Sequence, residues 1–198
     1  MTYAATTTTG RDGTYKFKFE YDDGTEVSFG DNLQQYEALP IATTVLITFP
    51  LKGHGQSQHL TTSYSHTHKE VKFPIQYIQL GSTGIFSIPD QDLWVSRHSK
   101  YDKSDARAIA EDELRQLGGC VLNLSGLWGG ERDPRHWIDR VASTKEKLKE
   151  KNSLHMVHGQ DVARGIVAVH QSFRKAVCQR YVLLPMSPWR RIIVLTLK

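Results

Sequence analysis

The chain has 198 residues, of which 39% are hydrophobic and 23% are charged, and its formal net charge is +4. This composition is typical of one globular domain, and the length allows a sizeable core. Lysine and arginine are scattered among nearly as many acidic residues, without a basic stripe interleaved with aromatic residues, so a nucleic-acid partner is not expected. A small phosphate-bearing ligand suits the mildly basic charge.

The first thirty residues predict a small hairpin. Tyr15, Phe17 and Phe19 alternate with charged residues, which is the pattern of a strand with one apolar face. A turn is predicted at residues 22–24 (Asp-Asp-Gly), and extended structure resumes near Val27. The N-terminus lacks the basic and long apolar regions of a signal peptide. No apolar run in the chain approaches the roughly 20 residues that span a bilayer, so a cytoplasmic protein without a membrane partner is expected.

Three apolar segments predict parallel strands. Residues 42–49 are continuously apolar and β-branched, which predicts a central strand covered on both faces. Residues 73–80 predict a second buried strand and residues 121–124 a third. Because helical patterns alternate with these strands, we expect an α/β fold with a mostly parallel sheet and flanking helices. The ends of the three strands would then share a single crevice.

Helical spacing supplies the elements between the strands. Within the polar segment 55–72, two apolar residues would line one face of a short helix. Ser104 is placed to cap a helix over residues 105–117. A further helix is predicted over 134–150, and Asp161 is placed to cap the last one. The residues that would face inward from the last helix are Val162, Ile166, Val169 and Phe173.

Cysteine and histidine residues indicate no cofactor of their own. The two cysteines, Cys120 and Cys178, form no disulfide framework, and Cys120 is expected to be a buried thiol. His66 and His68 could chelate a metal ion, but no cysteine or carboxylate set accompanies them. We therefore predict no metal site.

Four motifs follow one another in a characteristic order. They are Gly81-Ser82-Thr83-Gly84 at a strand end, Arg107 to Leu114 on a helix, Asn123 to Gly130 after the third strand, and His158 to Ala163 at a helix start. This order resembles that of the atypical and extended short-chain dehydrogenase/reductase-like proteins, which bind NAD(P) and include epimerase/dehydratase relatives. The resemblance covers residues 42–175. It implies one Rossmann-like domain over residues 1–198, with an uncertain tail at 175–198.

The resemblance also implies a set of catalytic residues. The family carries a catalytic hydroxyl at the strand end that matches residues 81–84, so Thr83 or Ser82 is the candidate. The positions of the family's tyrosine and lysine fall on Lys103 and Arg107. Tyr101 lies two residues out of register, so Tyr101 and Arg107 would replace that pair imperfectly. Two alternatives follow: an oxidoreductase of unknown substrate, and a catalytically inactive Rossmann-like binding or scaffold protein.

For the cofactor, NADP or NAD, the resemblance implies a dispersed set of contacts. These residues are Arg11, Phe49, Pro50, Leu51, Gly81, Gly84, Leu124, Ser125 and Gly126. If residues 4–9 form the family's second strand, Arg11 favours NADP because it can accommodate the 2′-phosphate. His158 is expected to be a hydrogen-bonded scaffold residue. The protein's partners would be the dinucleotide and an unknown small-molecule substrate, in a possible oligomer.

The chain has no complete G-x-G-x-x-G motif. Its nearest approach, residues 53–58, gives G-x-G-x-x-Q and lacks the last glycine, which permits close packing of helix on strand. The resemblance therefore implies a Rossmann-like sheet that is incomplete at its N-terminus. It also implies weakened cofactor binding, because the missing turn and helix normally hold the diphosphate.

Overall fold

The computed structural model describes residues 4–9, 15–20, 26–27, 33–87, 96–133, 143–149 and 156–183, and for the first three of these segments it describes the backbone alone. The strands are β1 (Ala4–Thr9), β2 (Tyr15–Glu20), β3 (Glu26–Val27), β4 (Thr44–Ile47), β5 (Gln76–Ser82), β6 (Cys120–Leu124), β7 (Gly126–Trp128), β8 (Met156–His158) and β9 (Arg180–Leu183). The α-helices are α1 (Leu33–Glu37), α2 (Gln56–Thr67), α3 (Ala106–Gln116), α4 (Lys145–Lys149), α5 (Gly159–Gln171) and α6 (Phe173–Ala176), and a 3-10 helix spans Thr83–Phe86. None of the helices in these ranges has the length and apolar character needed to cross a bilayer.

A four-stranded parallel sheet forms the centre of the fold. Its order is β4-β5-β6-β9, and every neighbouring pair is parallel. At the carboxyl end, Ser82 of β5 lies opposite Leu124 of β6. Because parallel strands end at the same edge of a sheet, the ends of the three predicted strands lie side by side, as expected. This sheet and its helices form a mixed α/β, Rossmann-like fold.

Helices cover the two faces of the sheet. Successive strand residues point to opposite faces, so Val121 belongs to one apolar cluster and Leu122 to the other. The first cluster contains Leu60 and Tyr64 of α2, which confirms the predicted helix in that polar segment. The second contains the apolar side of α5, as expected from its spacing. Each fully buried side chain of this kind stabilises the fold by about 1.5–3 kcal/mol.

The position of β4 corrects the prediction of a central strand. β4 covers only Thr44–Ile47 and lies at one edge of the described sheet. The Leu46 side chain is 39% exposed, because α5 packs over β5 and β6 and leaves this edge less covered. An apolar run predicts a buried strand but does not encode which strand becomes its neighbour.

The N-terminal strands form a separate sheet and correct a second prediction. β1 pairs antiparallel with β2, with Ala4 opposite Glu20, and β2 pairs antiparallel with β3. The predicted hairpin is therefore confirmed, but residues 4–9 are not a strand of the parallel sheet. Residues 10–14 are too few for the crossover that parallel pairing needs. The preference for NADP expected from Arg11 depended on that strand, so it loses its basis, and Arg11 lies outside the described residues.

The start of α3 is capped one residue later than predicted. The Asp105 carboxylate accepts hydrogen bonds from the backbone N–H groups of Arg107 (2.8 Å) and Ala108 (3.1 Å). Asp105 has the extended backbone that a cap requires. Ser104 instead donates its hydroxyl to the Asp102 carboxylate, at 2.6 Å. The predicted helix is thus present, and its cap is an aspartate rather than the preceding serine.

The start of α5 also differs from the prediction. His158 caps the helix, because its Nδ1 accepts a hydrogen bond from the backbone N–H of Gln160 at 3.2 Å. This confirms that His158 is a hydrogen-bonded scaffold residue. Asp161, the predicted cap, lies inside the first turn and pairs with Arg164 at 3.0 Å. Of the helix predicted over 134–150, residues 134–142 and 150 lie outside the described residues.

The turn before α2 shows what the glycine pair does. Gly53 and Gly55 have φ of +73° and +82°, in the left-handed region that favours glycine. Glu113 of α3 places its carboxylate against the start of α2: one oxygen accepts from the Gly55 N–H (2.8 Å). Its other oxygen accepts from the N–H groups of Ser57 (3.0 Å) and Gln58 (3.2 Å). A carboxylate of the protein therefore occupies the position that a phosphate takes at such a helix start.

Removing this carboxylate should destabilise the contact between α2 and α3. We expect Glu113→Ala to lower the free energy of unfolding by about 2 kcal/mol, because charge-assisted hydrogen bonds to backbone N–H groups are lost. Urea unfolding followed by circular dichroism measures this change. Gln116→Ala, on an exposed position of the same helix, should change it by less than about 0.5 kcal/mol. Equal effects of the two substitutions would contradict the role given to Glu113.

Candidate functional site

The carboxyl ends of β5 and β6 carry the predicted hydroxyl groups. Ser82 Oγ accepts a hydrogen bond from the Gly84 N–H at 3.1 Å. Thr83 Oγ1 donates to the Leu124 carbonyl at 3.3 Å. The two hydroxyls therefore differ chemically: Ser82 keeps its own proton for donation, whereas Thr83 has used its proton and keeps lone pairs for acceptance. Of the two candidates, Ser82 is the better donor to a carbonyl oxygen.

Ser125 follows the end of β6 and has an unusual hydroxyl. The residue is 5% exposed, and its Oγ has no hydrogen-bond partner among the described residues. A buried polar group without a partner costs about 1–3 kcal/mol, so such groups tend to mark sites where a ligand or water completes the bonding. Gly126 comes next, is exposed, and pairs with Met156 of β8. Ser125 directly follows Leu124, which lies opposite Ser82 at the carboxyl edge of the sheet.

At the end of β4 the predicted cofactor residues are mostly in the core. The Phe49 and Leu51 side chains are each 6% exposed and belong to the apolar cluster of Leu60 and Tyr64. Pro50 between them is partly exposed. Any contact of Phe49 or Leu51 with an adenine or ribose therefore has to use the few exposed atoms or the backbone. Their role in cofactor binding stays a prediction.

A buried polar network lies directly behind the end of β5. Glu111 of α3, Asn123 of β6 and Arg180 of β9 are each at most 3% exposed. Arg180 forms an ion pair with Glu111 and donates to Asn123 Oδ1 at 3.0 Å. Asn123 Nδ2 donates to the Glu111 carboxylate at 2.8 Å. Burial raises the pKa of Glu111, and the positive charge of Arg180 opposes that rise.

This network reaches the backbone of the candidate site. The Ser82 N–H donates to Glu111 Oε1 at 3.3 Å, and the Ser82 carbonyl accepts from Asn123 Nδ2 at 3.0 Å. Gly81 has no room for a side chain, because a Cβ there would overlap the Glu111 carboxylate and lie 2.6 Å from Asn123 Nδ2. Its glycine is thus required by the network, whatever contact it also makes with a cofactor.

Tyr101 belongs to the outer part of the same network. Its hydroxyl donates to both carboxylate oxygens of Asp112, at 2.9 and 2.7 Å. The Arg180 guanidinium lies 4.7 Å from the centre of the Tyr101 ring and donates to Asp112 at 3.0 Å. Burial raises the pKa of Tyr101, and its hydrogen bond to Asp112 raises it further. This is opposite to the lowered pKa that a proton-transferring tyrosine needs.

The other residues predicted for catalysis lie in different surroundings. Lys103 is exposed in a turn, and Arg107 is partly buried in the first turn of α3. No hydrogen bond joins Tyr101 to Arg107, both of which are described. A cleft of about 410 Å³ opens beside Tyr101. Ser82, Thr83 and Ser125 do not line it, so this cleft and the strand ends are separate features.

The segment 123–130 and His68 of the histidine pair at 66 and 68 each make contacts within the protein. Trp128 is 40% exposed and makes an edge contact with the His158 ring. His68 is buried, stacks on Tyr64 and bonds the Leu39 carbonyl through Nε2 at 2.9 Å. Among the described residues, no group of three or more histidine, cysteine or acidic side chains is arranged to hold a metal ion.

Cys120 is fully buried at the start of β6, as predicted, and Cys178 is exposed. Burial raises the pKa of the Cys120 thiol to about 12 from the value of 9.0 for an exposed thiol. Below pH 9 both the folded and the unfolded chain keep this proton. Between the two pKa values only the unfolded chain loses it, so rising pH favours unfolding by up to about 1.4 kcal/mol per pH unit.

This shift predicts a steep alkaline loss of stability. Thermal unfolding of the wild type between about pH 8 and 10.5 should show a falling midpoint, and Cys120→Ala should show a shallower fall. Buried Tyr77 and Tyr181, whose pKa values are also raised by burial, should sustain part of the slope in both proteins. Cys178→Ala should keep the wild-type slope because that side chain is exposed. Parallel curves for wild type and Cys120→Ala would refute the assignment.

The chain has a distant similarity to a solved structure. No family model matches the chain, and no curated protein matches its sequence. Among solved structures, the chain is similar to a "putative NAD-dependent epimerase/dehydratase" from Methylobacillus flagellatus, with 19% sequence identity and a TM-score of 0.49. The similarity covers 67% of this chain and 49% of that one, so the chain spans about half the length of that structure.

Proposed function

We propose that this chain is an NAD(P)-binding protein of the short-chain dehydrogenase/reductase-like type, with the cofactor lying across the carboxyl ends of β5 and β6. The observation that carries the proposal is the Ser125 hydroxyl, which is buried and has no hydrogen-bond partner among the described residues. Ser125 directly follows Leu124, which lies opposite Ser82 at the end of the sheet. Open α/β sheets bind nucleotides at this edge. The order of the sequence motifs supports NADP or NAD as the ligand, and the two hydroxyls suit its nicotinamide end and a substrate oxygen.

In this proposal the enzyme's substrate is a small carbonyl or hydroxyl compound. The cofactor supplies hydride chemistry when bound, and the protein supplies orientation. Ser82 donates a hydrogen bond to the carbonyl oxygen of the substrate, because its oxygen already accepts from the Gly84 N–H and its O–H stays available. Thr83 offers lone pairs to a substrate hydroxyl. Tyr101 has no part in proton transfer, because its hydroxyl is bonded to Asp112.

One observation favours a second candidate, a nucleotide-binding or scaffold protein without turnover. In a dehydrogenase of this type, a tyrosine with a lowered pKa transfers the proton. Here Lys103 occupies the tyrosine position, and the nearby Tyr101 has a raised pKa. The polar groups at the strand ends are the same in both candidates, so both predict cofactor binding and they differ in catalysis.

The test is a calorimetric titration with NADPH and with NADH. Wild type should bind one of them, and Ser125→Ala should bind about 5- to 10-fold more weakly because one hydrogen bond is lost. Ser172→Ala, an exposed position at the end of α5, should bind as wild type does. Absence of binding at millimolar concentrations contradicts the proposal. Binding without turnover of any carbonyl substrate selects the second candidate.

The same substitution should affect stability in the opposite direction. Without ligand, Ser125→Ala is expected to keep or raise the free energy of unfolding, by up to about 1 kcal/mol, because it removes a buried hydroxyl that has no partner in the described structure. Urea unfolding measures this. A clear loss of stability would mean that the hydroxyl has an internal partner, and Ser125 would then no longer indicate a ligand.

A further inference from the structure

We infer that Glu111 is a positioning residue for the candidate site: held by Arg180, it fixes the carboxyl end of β5 and thereby the Ser82 hydroxyl. This inference rests on the proposed function. It adds to that function a residue on α3 that acts through the backbone of Ser82. The evidence is the pattern of bonds around Ser82, the confinement of the Glu111 carboxylate and the identity of residue 81.

Both backbone groups of Ser82 are bonded to side chains. The N–H donates to Glu111 Oε1 (3.3 Å), and the carbonyl accepts from Asn123 Nδ2 (3.0 Å). Ser82 is the last residue of β5, where strand ends commonly fray. The two bonds hold this residue at the last position of the ladder with β6, where it lies opposite Leu124. The 3-10 helix that follows then begins from a fixed point, with Ser82 Oγ as its cap.

The Glu111 carboxylate itself has little freedom. Glu111 is 1% exposed, and the oxygen that does not contact Ser82 is bonded by Arg180 and Asn123. Arg180 is held in turn by Asp112 at 3.0 Å. Glycine at position 81 lets the carboxylate and the Asn123 amide approach the backbone. The ion pair alone would not require this close approach.

A purely structural role is the competing explanation, because a buried ion pair can be replaced by apolar residues without loss of stability. The two explanations predict different behaviour for Glu111→Leu/Arg180→Leu. If Glu111 only neutralises Arg180, the double variant restores both the unfolding midpoint and the behaviour of Ser82. If Glu111 positions Ser82, the midpoint recovers relative to Arg180→Leu, but Ser82 remains altered.

The experiment measures amide hydrogen exchange at Ser82 together with the unfolding midpoint, by NMR on the full chain. We expect exchange at Ser82 to accelerate at least about tenfold in the double variant, which corresponds to loss of one backbone hydrogen bond. Glu111→Gln has a single acceptor oxygen, which should turn to the two donors Arg180 and Asn123 and leave the Ser82 N–H facing the amide NH2 group, so this variant should also accelerate exchange. Glu113→Ala is the matched control on α3: it should accelerate exchange at 55–58 and leave Ser82 unchanged.

Wild-type exchange at Ser82 in the double variant would overturn the inference, as would fast exchange in every destabilised variant, including Glu113→Ala. An NADPH titration of the same proteins provides the link to function. Under conditions in which both proteins are fully folded, the double variant should bind NADPH, or turn over substrate, several-fold less well than wild type. If wild type binds neither NADPH nor, in a parallel titration, NADH, the proposed function fails, and the exchange comparison still decides separately whether Glu111 fixes Ser82.

Discussion

Replacing Arg180 with methionine is expected to lower the free energy of unfolding by about 3–5 kcal/mol at neutral pH. Arg180 is 3% exposed and bonds three side chains, those of Glu111, Asp112 and Asn123. Methionine fills much of the volume but leaves the Glu111 carboxylate buried without a counter-ion. Breaking one partner of a buried pair is more costly than removing both, because the remaining charge stays in an apolar environment. Urea unfolding of the single variant measures the loss.

The pH dependence of this loss provides an internal control. Burial raises the pKa of Glu111 above its usual value of 4.5, and Arg180 opposes this in the wild type. Without Arg180, the folded protein binds the Glu111 proton more tightly than the unfolded chain does. The loss should therefore be smallest near pH 4.5 and grow as the pH rises. A loss that does not change with pH would contradict a buried, ionised Glu111.

An exposed ion pair offers the comparison in the same chain. Arg164 pairs with Asp161 on α5, with 66% and 44% of the two side chains exposed. Arg164→Met should change the free energy of unfolding by less than about 0.5 kcal/mol, because solvent screens exposed pairs. Equal effects of Arg180→Met and Arg164→Met would show that the buried network does not stabilise the fold as described.

Gly81→Ala is expected to be the second most damaging substitution, at about 3 kcal/mol. The new Cβ would lie 2.6 Å from Asn123 Nδ2 and 2.8 Å from the carboxyl carbon of Glu111. Both side chains are buried and fixed by hydrogen bonds, so neither can move aside without breaking the network. Unfolding in urea, followed by circular dichroism, measures the change.

Gly84→Ala tests whether this effect is specific to position 81. Gly84 is exposed and lies three residues further on, in the 3-10 helix, and a Cβ there would meet only Ser82 Oγ at 3.2 Å. We expect a loss below about 1 kcal/mol. If Gly84→Ala destabilises as much as Gly81→Ala, the backbone of residues 81–84, rather than the contact with Glu111 and Asn123, is what requires glycine at position 81.

Local patterns predicted much of the parallel sheet. The runs around Ile78 and Leu122 are apolar and bounded by turn residues, so both strands and the edge they share were predictable. The order of strands is not local, and it places β4 at an edge of the described sheet. β9 was not predicted, because Arg180 to Leu183 mixes a charged residue with apolar ones in a tail without clear periodicity.

The polar network was beyond sequence reasoning for a different physical reason. Arg180 and Glu111 are 69 positions apart in the sequence. Each of them alone predicts an ordinary exposed charged side chain. The one local signal was a glycine at position 81 directly after an apolar strand, which indicates close approach of another group. The resemblance to the family indicated both Ser82 and Thr83 as candidates for the catalytic hydroxyl. Only the hydrogen bonds to Gly84 and Leu124 distinguish the donor from the acceptor.

In the proposed function, the carboxyl ends of β5 and β6 bind a nicotinamide dinucleotide. The most direct measurement is an NMR titration of the full chain with NADPH and with NADH, in which the chemical shifts of the backbone amides are recorded. Saturable shifts should be largest at residues 82–84 and 124–126 and absent at residues 168–171, at the far end of α5. Saturable shifts confined to other parts of the chain, or no shifts at millimolar cofactor, would contradict it.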